Sequence, residues 1–145
     1  MGKFKKGAVL ITGTTSGVGL NTLKPLIEFG WDVIAVNRSS KRAIDEANKI
    51  LKNNEIESIN FIEIDLSDLN SVRNGSKEII KRFGGGLKVL ICNAAVYKPR
   101  LKRPERSPQG FENSMAINHF GHFLLINLLL ESILNSDEKI ILNGE

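Results

Sequence analysis

The chain has 145 residues, 41% hydrophobic and 25% charged, with a formal net charge of +4. This length predicts one domain with a substantial core, and the composition is ordinary for a soluble globular protein. The scattered basic residues argue against a dedicated nucleic-acid binder but suit an anionic ligand. The single cysteine, Cys92, excludes an intrachain disulfide framework and is compatible with a reducing compartment.

Predicted strands and helices alternate along the chain. Apolar runs predict strands over residues 8–12, 32–36, 58–64, 88–92 and 139–143. Helical periodicity predicts helices over residues 17–29, 41–52, 69–83 and 111–135, and three prolines mark 98–110 as a loop. Strands that alternate with helices in this way give right-handed crossovers and a parallel sheet. The predicted fold is therefore a doubly wound α/β sheet of the Rossmann type.

The first strand runs into a glycine-rich turn, Thr12-Gly13-x-x-x-Gly17-x-Gly19, that opens a helix. Glycine permits the positive φ angles of a tight turn, and its missing Cβ lets backbone N–H groups approach a pyrophosphate. The hydroxyls of residues 14–16 and the positive end of the helix also favour an anion. The turn predicts a dinucleotide phosphate loop, although a glycine-rich loop that merely turns has the same composition. The predicted cofactor contacts here are Gly13, Thr15, Ser16, Gly17, Val18 and Gly19.

The end of the second strand predicts which dinucleotide binds. An acidic residue at this place would accept hydrogen bonds from the adenosine ribose and select NAD. The chain instead has Asn37-Arg38, with Lys41 and Arg42 one turn away. Because a guanidinium can bind a 2′-phosphate bidentately, Arg38 favours NADP(H). The alternative is that Arg38 is a solvated surface arginine.

Two further strand ends carry candidate binding residues. Asp65 could accept a hydrogen bond from the adenine amino group while Leu66 packs on the ring. Alternatively, Asp65 begins the next helix, capped by the two residues 67–68. The fourth strand ends in Cys92-Asn93-Ala94-Ala95, where small residues allow close approach of a cofactor and Asn93 can bond a neighbouring strand or the ribose. Cys92 is interpreted as a buried small residue and not as a nucleophile.

The long last helix carries Asn118, His119 and His122. The two histidines share a face, but the chain has no further histidine, so we predict no metal site. Asn118 has poor propensity for a helix interior, which suggests a buried hydrogen-bonding role. From Phe120 onward the helix is apolar nearly all round, as expected for burial on the sheet or in an interface. Residues 123–134 are too few and too interrupted to span a bilayer, and no signal peptide is visible, so we predict no transmembrane segment.

The sequence stops directly after the fifth predicted strand, at Gly144 and Glu145. No helix follows that could cover this strand, and a half-built sheet leaves apolar surface without partners. We therefore expect residues 1–145 to be a single NADP-binding domain that is incomplete at its carboxyl end. We also expect that it can self-associate through the uncovered sheet edge or the long helix.

Taken in order, Thr12-Gly13-x-x-x-Gly17-x-Gly19, Asp65-Leu66, Asn93-Ala94-Ala95 and Asn118 resemble the motifs of the short-chain dehydrogenase/reductase family. The resemblance covers essentially the whole chain. It implies an NADPH-dependent oxidoreductase in which Arg38 binds the 2′-phosphate. Asp65 and Asn93 would then flank the adenosine half of the site, and Asn118 would be the catalytic asparagine of the family's proton relay.

Three stretches narrow the resemblance: residues 92–97, Gly110-Phe111-Glu112, and residues 118–125 with 127–131. They are similar to a branch of the family that reduces a ring double bond of a tetrapyrrole pigment in the light, a step of chlorophyll synthesis. That resemblance implies a pigment substrate near Tyr97 and near the basic loop 98–110, most of whose charges are interpreted as solvated. It also implies a cytoplasmic or plastid, stroma-like location. Residues 118–125 are shared with retinol-type reductases, so an NADP-dependent carbonyl reductase is the alternative.

Two features depart from the family pattern. The Tyr-x-x-x-Lys pair is absent from these 145 residues, and Asn143-Gly144-Glu145 stands where a Ser or Thr is expected after the fifth strand. In the family the tyrosine supplies or orients a proton, and the lysine lowers its pKa and holds the ribose. We therefore expect that this chain does not turn over substrate by itself, and a non-catalytic nucleotide-binding module is a third hypothesis.

Overall fold

Five parallel strands form one sheet in the order β3-β2-β1-β4-β5. The computed structural model describes residues 6–99, 103–135 and 140–143, the last range by its backbone alone. The strands are β1 (Ala8–Thr12), β2 (Asp32–Asn37), β3 (Ile59–Glu63), β4 (Leu87–Cys92) and β5 (Ile140–Asn143). The strand order reverses between β1 and β4, and such a switch point opens a crevice beyond the carboxyl ends of the strands. The predicted doubly wound α/β fold is confirmed.

Helices pack on both faces of this sheet. The first four are α1 (Gly17–Glu28), α2 (Ser40–Ala47), α3 (Asn53–Glu57) and α4 (Leu69–Phe83), and the long last helix consists of α5 (Asn113–Met115), a π-helical segment (Ala116–Gly121) and α6 (His122–Leu134). Leu23 of α1 packs with alternate β1 and β2 residues on one face, and Leu125 of α6 packs with the intervening ones on the other. All five residues of β1 are buried between these layers, as an apolar central strand requires.

Two predicted helix boundaries are wrong for local reasons. The helix predicted over residues 41–52 ends at Ala47, where the chain tightens so that the N–H groups of Lys49 and Ile50 bond to carbonyl oxygens three residues earlier. The Glu55 carboxylate then accepts a hydrogen bond from the Lys52 N–H at 2.7 Å and starts the separate helix α3. The last helix begins at Asn113 and not at residue 111, because the Glu112 carboxylate accepts from the backbone N–H groups of the first turn. Lys139, the predicted first residue of the fifth strand, lies outside the described residues.

The long helix buries one face. His122, Leu125, Leu129 and Ile133 are buried at helical spacing, whereas Phe123 is 61% exposed. The expectation of burial on the sheet therefore holds for one side of the helix alone. Among the described residues, one helix of 22 residues, Asn113–Leu134, is long and apolar enough to span a membrane. Core helices of soluble proteins also meet this criterion of length and composition.

A buried hydroxyl in α4 gives a stability prediction. Ser76 is 1% exposed, and its Oγ has no hydrogen-bond partner within the described part of the chain. Because an unpaired buried hydroxyl is costly, we expect Ser76→Ala to raise the free energy of unfolding by about 1 kcal/mol in urea denaturation.

Ser71→Ala is the matched control on the same helix. The Ser71 hydroxyl accepts a hydrogen bond from the Asp65 N–H at 2.9 Å, so its removal should lower the free energy of unfolding. Equal destabilisation by the two variants would contradict the prediction for Ser76.

Candidate functional site

A cleft of about 450 Å³ opens at the carboxyl edge of the sheet. Its walls come from the turn after β1 and from the ends of β2, β3 and β4, with Ile117 of the π-helical segment at one side. All of the predicted cofactor contacts except Gly19 line this cleft: Gly13, Thr15, Ser16, Gly17, Val18, Arg38, Asp65, Leu66, Asn93, Ala94 and Ala95. The fold therefore brings together residues that lie far apart in the sequence.

The three glycines of the turn have different structural roles. Gly13 and Gly17 have positive φ angles of 75° and 55°, which L side chains rarely adopt. Gly19 is buried behind the turn, where a Cβ would lie 2.1 Å from the Gly13 carbonyl oxygen and 2.5 Å from Asn93 Nδ2. Gly19 thus lies outside the cleft wall because it supports the turn from behind.

The amino terminus of α1 faces the cleft. Gly17 and Val18 line the cleft, and a Cβ on Gly17 would meet no atom within 4 Å. Ser16 precedes the helix in an extended conformation, and within the described residues its side chain makes no capping hydrogen bond. The first N–H groups of a 12-residue helix therefore lack the usual side-chain acceptor. This arrangement fits a phosphate group.

A buried pair that the sequence analysis did not assign fixes the turn to β2. The Thr14 N–H donates to Asn37 Oδ1 at 2.7 Å, and Asn37 Nδ2 donates to the Thr14 hydroxyl at 2.7 Å. Both side chains are buried. The expectation that the Thr14 hydroxyl faces an anion is therefore wrong, because that hydroxyl is used inside the fold.

Two arginines lie at the edge of the cleft beyond β2. Arg38 follows the strand directly, and Arg42 belongs to the first turn of α2, whose amino-terminal cap is Ser39. The Ser39 hydroxyl accepts from the Arg42 N–H at 3.3 Å. Neither guanidinium forms an ion pair with any residue that the structure describes. Two positive charges are thus available at one point of the cleft wall.

Asp65 and Asp68 divide the two roles that the sequence left open. Asp65 lines the cleft, while its Oδ1 accepts from the Ser67 N–H at 2.9 Å and from the Ser67 hydroxyl. Asp68 caps α4 by accepting from the Asn70 N–H at 2.9 Å. A hydrogen bond from Gln109, together with that from Asn70, holds the pKa of Asp68 below its ordinary value. Asp65 therefore shapes the turn but leaves the helix cap to Asp68.

Asn93 bonds the neighbouring strand. Its Nδ2 donates to the carbonyl oxygens of Thr12 and Gly13, each at 3.0 Å. Cys92, directly before it, is buried, and this burial raises the pKa of its thiol to about 11. The thiol is therefore protonated at neutral pH, which agrees with its interpretation as a small core residue. Within the described residues, no group of three or more potential metal ligands is found.

Asn118 and Tyr97 do not line the cleft. Asn118 is exposed, so the expectation of a buried role is wrong, but its hydrogen-bonding role is present. Its Oδ1 accepts from the Val96 N–H and its Nδ2 donates to the Val96 carbonyl, both at 2.8 Å. Val96 lines the cleft, whereas Tyr97 next to it is 87% exposed.

Thr12 and His122 support the floor of the site, although the sequence analysis assigned neither residue to it. Thr12 is fully buried, and its Oγ1 lies 2.9 Å from Nε2 of His122. The same hydroxyl oxygen accepts from the N–H groups of Asn93 and Ala94, each at 3.0 Å. The place of Thr12 in the glycine-rich motif is a sequence signal for a role at the site, but no local pattern indicates that His122 is its partner.

Comparison with known sequences gives one consistent family. Residues 7–143 match the model of the short chain dehydrogenase family. The chloroplastic protochlorophyllide reductase of Daucus carota is 44% identical over 148 residues, which cover 97% of this chain and 36% of the relative. Protochlorophyllide reductase A of Arabidopsis thaliana is 42% identical over 97% of this chain and 35% of the relative. The chain thus spans about a third of the length of these curated relatives.

Solved structures show the same fold. The NADPH-bound carbonyl reductase from chicken fatty liver has a TM-score of 0.77 at 22% identity, over 97% of this chain and 59% of that protein. The menthone neomenthol reductase of Mentha piperita has a TM-score of 0.73 at 20% identity, over 93% and 58%. The family match includes every strand and helix that builds the cleft, and the chain belongs to the short-chain dehydrogenase family of oxidoreductases.

Proposed function

We propose that this chain is the NADP(H)-binding part of a light-dependent protochlorophyllide reductase. One observation carries the nucleotide assignment: an uncapped helix terminus and two unpaired arginines, Arg38 and Arg42, line the same cleft in the described structure. Protochlorophyllide as substrate is supported by the curated relatives, which bear that name. Their description as chloroplastic supports a plastid location.

The proposed nucleotide lies across the cleft from the arginines to Asn93. The pyrophosphate binds the N–H groups at Gly17 and Val18, where the positive end of the α1 dipole adds a favourable charge. The 2′-phosphate binds Arg38 and Arg42, since a guanidinium matches the geometry of phosphate oxygens. On this proposal the adenine contacts the Asp65-Leu66 turn, and the Asn93-to-Ala95 wall flanks the adenosine half of the nucleotide.

Bound NADPH would supply the hydride, and the residues of this chain would bind and orient the nucleotide. The chain's single tyrosine is Tyr97, and Leu101 stands four positions after it, so the 145 residues contain no Tyr-x-x-x-Lys pair. We propose that the chain by itself binds the nucleotide without turnover. We also propose that Asn118 contributes to catalysis by holding the backbone of Val96 in place with its two hydrogen bonds. Tyr97, on this proposal, contacts the pigment.

A carbonyl substrate is the second candidate function. The supporting observations are residues 118–125, which resemble those of retinol-type reductases, and the structural likeness to an NADPH-bound carbonyl reductase. The same nucleotide cleft would serve either reaction. Binding of the pigment therefore distinguishes the two candidates.

Removal of the arginines tests the nucleotide assignment. Because a charge-assisted hydrogen bond contributes roughly 1.5–3 kcal/mol, we expect Arg38→Ala to weaken NADPH binding about 10- to 100-fold. NADH lacks the 2′-phosphate, so its affinity should change little. Arg42→Ala should act in the same direction. Nicotinamide fluorescence and thermal shift measure both nucleotides.

Lys41→Ala is the matched control for the arginine variants. Lys41 is an exposed cation between the two arginines in sequence, but it does not line the cleft. Its removal should leave the ratio of NADPH to NADH affinity unchanged. Equal loss of both nucleotides on Arg38→Ala, or an equal effect of Lys41→Ala, would contradict the proposed 2′-phosphate site.

Closing the space behind the turn tests the phosphate loop. A Cβ at position 19 would overlap the Gly13 carbonyl, so Gly19→Ala should displace the turn and abolish measurable NADPH binding. It should also lower the free energy of unfolding by roughly 1–3 kcal/mol, the usual cost of overpacking. Gly85→Ala is the control, because a Cβ there meets no atom within 4 Å. Full NADPH affinity in Gly19→Ala would exclude this loop as the binding site.

Titration with protochlorophyllide tests the substrate. We expect an absorption shift of the pigment that requires NADPH, because hydride transfer needs the pigment next to the bound nucleotide. Tyr97→Ala should weaken this binding several-fold without changing NADPH affinity, as expected for loss of an aromatic contact. Phe29→Ala, another exposed aromatic at the far end of α1, is the control. NADPH binding without any pigment shift would favour the carbonyl substrate or a non-catalytic module.

A further inference from the structure

His122 is a buried histidine that the proposed function does not use. It is the first residue of α6, it is 6% exposed, and its Nε2 lies 2.9 Å from Thr12 Oγ1. Thr12 ends β1 immediately before the glycine-rich turn. The histidine therefore connects the long helix to the strand from which the cleft begins.

The hydrogen bonds at Thr12 determine which tautomer His122 adopts. A hydroxyl has two lone pairs and one proton to donate. The N–H groups of Asn93 and Ala94 both donate to Thr12 Oγ1, each at 3.0 Å, and occupy the two acceptor positions. The hydroxyl proton must therefore go to Nε2 of His122, which has to be unprotonated. The ring proton then lies on Nδ1.

The second ring nitrogen has its own acceptor. The backbone of Asn118, four residues earlier in the π-helical segment, interacts with the ring of His122 and favours its protonation, which raises its pKa. An Nδ1–H that donates to this backbone carbonyl satisfies both ring nitrogens of the neutral imidazole. Burial lowers the pKa of His122, and the bond to Asn118 opposes that effect in part. The neutral form with the proton on Nδ1 fits each contact.

The position of the Asn93-Ala94 backbone depends on this network. Asn93 also holds the carbonyl oxygens of Thr12 and Gly13, and Ala94 lies so close that a Cβ on Gly13 would be 2.7 Å from its Cα. A protonated His122 would present a second N–H to Thr12 Oγ1, whose acceptor positions are already filled. One of the three donors would have to leave: the imidazole, the Ala94 N–H, or the Asn93 N–H, which also contacts the Ile91 carbonyl oxygen at 3.1 Å. Its departure would loosen either the helix or the cleft wall.

We propose that neutral His122 is a positioning residue, which holds the Asn93-Ala94 wall against the glycine-rich turn. Protonation of its ring therefore weakens binding of the nicotinamide dinucleotide. The inference rests on the proposed nucleotide function. The nucleotide touches the cleft wall and not the imidazole. His122 therefore acts through Thr12.

The other titratable groups around His122 do not explain a pH-dependent change in nucleotide binding between about pH 7.5 and pH 5. On β4, Cys92 stays neutral because burial raises its pKa to about 11. On the β3–α4 connection, Asp65 bonds Ser67, and Asp68 has a pKa held low by its hydrogen bonds. The charged side chains of α4 are exposed: Arg73, Lys77, Glu78, Lys81 and Arg82. The remaining groups on these elements are Lys88 of β4, at the opposite end of the sheet beside Gly7, the exposed His119 and Glu131 of the long helix, and the helix cap Glu112.

His122→Gln separates the hydrogen bond from the charge. A glutamine Oε1 can accept from Thr12 and its amide can donate toward Asn118, but it does not titrate. The NADP⁺ affinity of the wild type should fall at least about fivefold more than that of His122→Gln between about pH 7.5 and pH 5, the equivalent of one hydrogen bond. The 2′-phosphate itself titrates at about pH 6. That contribution is common to all variants and cancels in the difference.

His119→Gln is the matched control, because His119 is an exposed histidine of the same helix. It should show the wild-type pH dependence. His122→Leu removes the acceptor and should weaken NADP⁺ binding at both pH values. Identical pH profiles for the wild type and His122→Gln would overturn the proposal, whether or not His122→Leu folds.

Two measurements are independent of nucleotide binding. Nitrogen NMR of the imidazole should show the Nδ1-protonated tautomer at about pH 7.5, and a proton on Nε2 would overturn the proposal. Amide protection of Asn93 and Ala94 should fall toward about pH 5 in the wild type but not in His122→Gln. If the wild type binds no NADP⁺ at about pH 7.5, the proposed function fails and the nucleotide part of this inference fails with it, while the amide exchange still decides the positioning role.

Discussion

The hydroxyl of Thr12 is the contact on which the cleft depends. Parallel strands end side by side at one edge of a sheet, and the backbone groups beyond their last ladder bonds need other partners. Thr12 supplies an acceptor for two of them, the N–H groups of Asn93 and Ala94. Asn93 returns two hydrogen bonds to β1 and the turn, and Asn37 fixes that turn from β2. The shape of the cleft thus follows from the hydrogen bonds that the polar groups at the ends of β1, β2 and β4 form with one another.

The long helix belongs both to the core and to the site. Its buried residues Leu125, Leu129 and Ile133 pack against the sheet, while its π-helical segment contacts the edge of the cleft. At Gly121 the helix passes so close to the loop after β3 that a Cβ would lie 2.2 Å from the Leu66 carbonyl oxygen. π-Helical turns occur often at functional sites. Here the segment directs Asn118 toward Val96, while His122, directly after it, contacts Thr12.

Local patterns determined the fold class and most of the cleft wall. The apolar run of β1, the glycine spacing of the turn and the alternation of strands with helices are each contained within a few residues, so they could be recognised without knowing the tertiary contacts. The carboxyl ends of parallel strands meet at one edge of the sheet, which explains why Arg38, Asp65 and Asn93 could be assigned to one site. The match to the short-chain dehydrogenase family confirms the resemblance that these motifs carried.

The tertiary structure decided which polar side chains serve the fold and which remain free for a ligand. The Thr14 hydroxyl accepts a hydrogen bond from Asn37, and Asn118 is exposed yet bonded to Val96. Arg42, which forms no ion pair with any described residue, lines the cleft together with Arg38. These outcomes depend on partners that are distant in sequence; Thr12 and His122 are 110 residues apart. A residue's type and local period fix its propensity and its face, but hydrogen-bond satisfaction is a property of the assembled fold. The sequence therefore identified the site, and the folded chain determined how it is held.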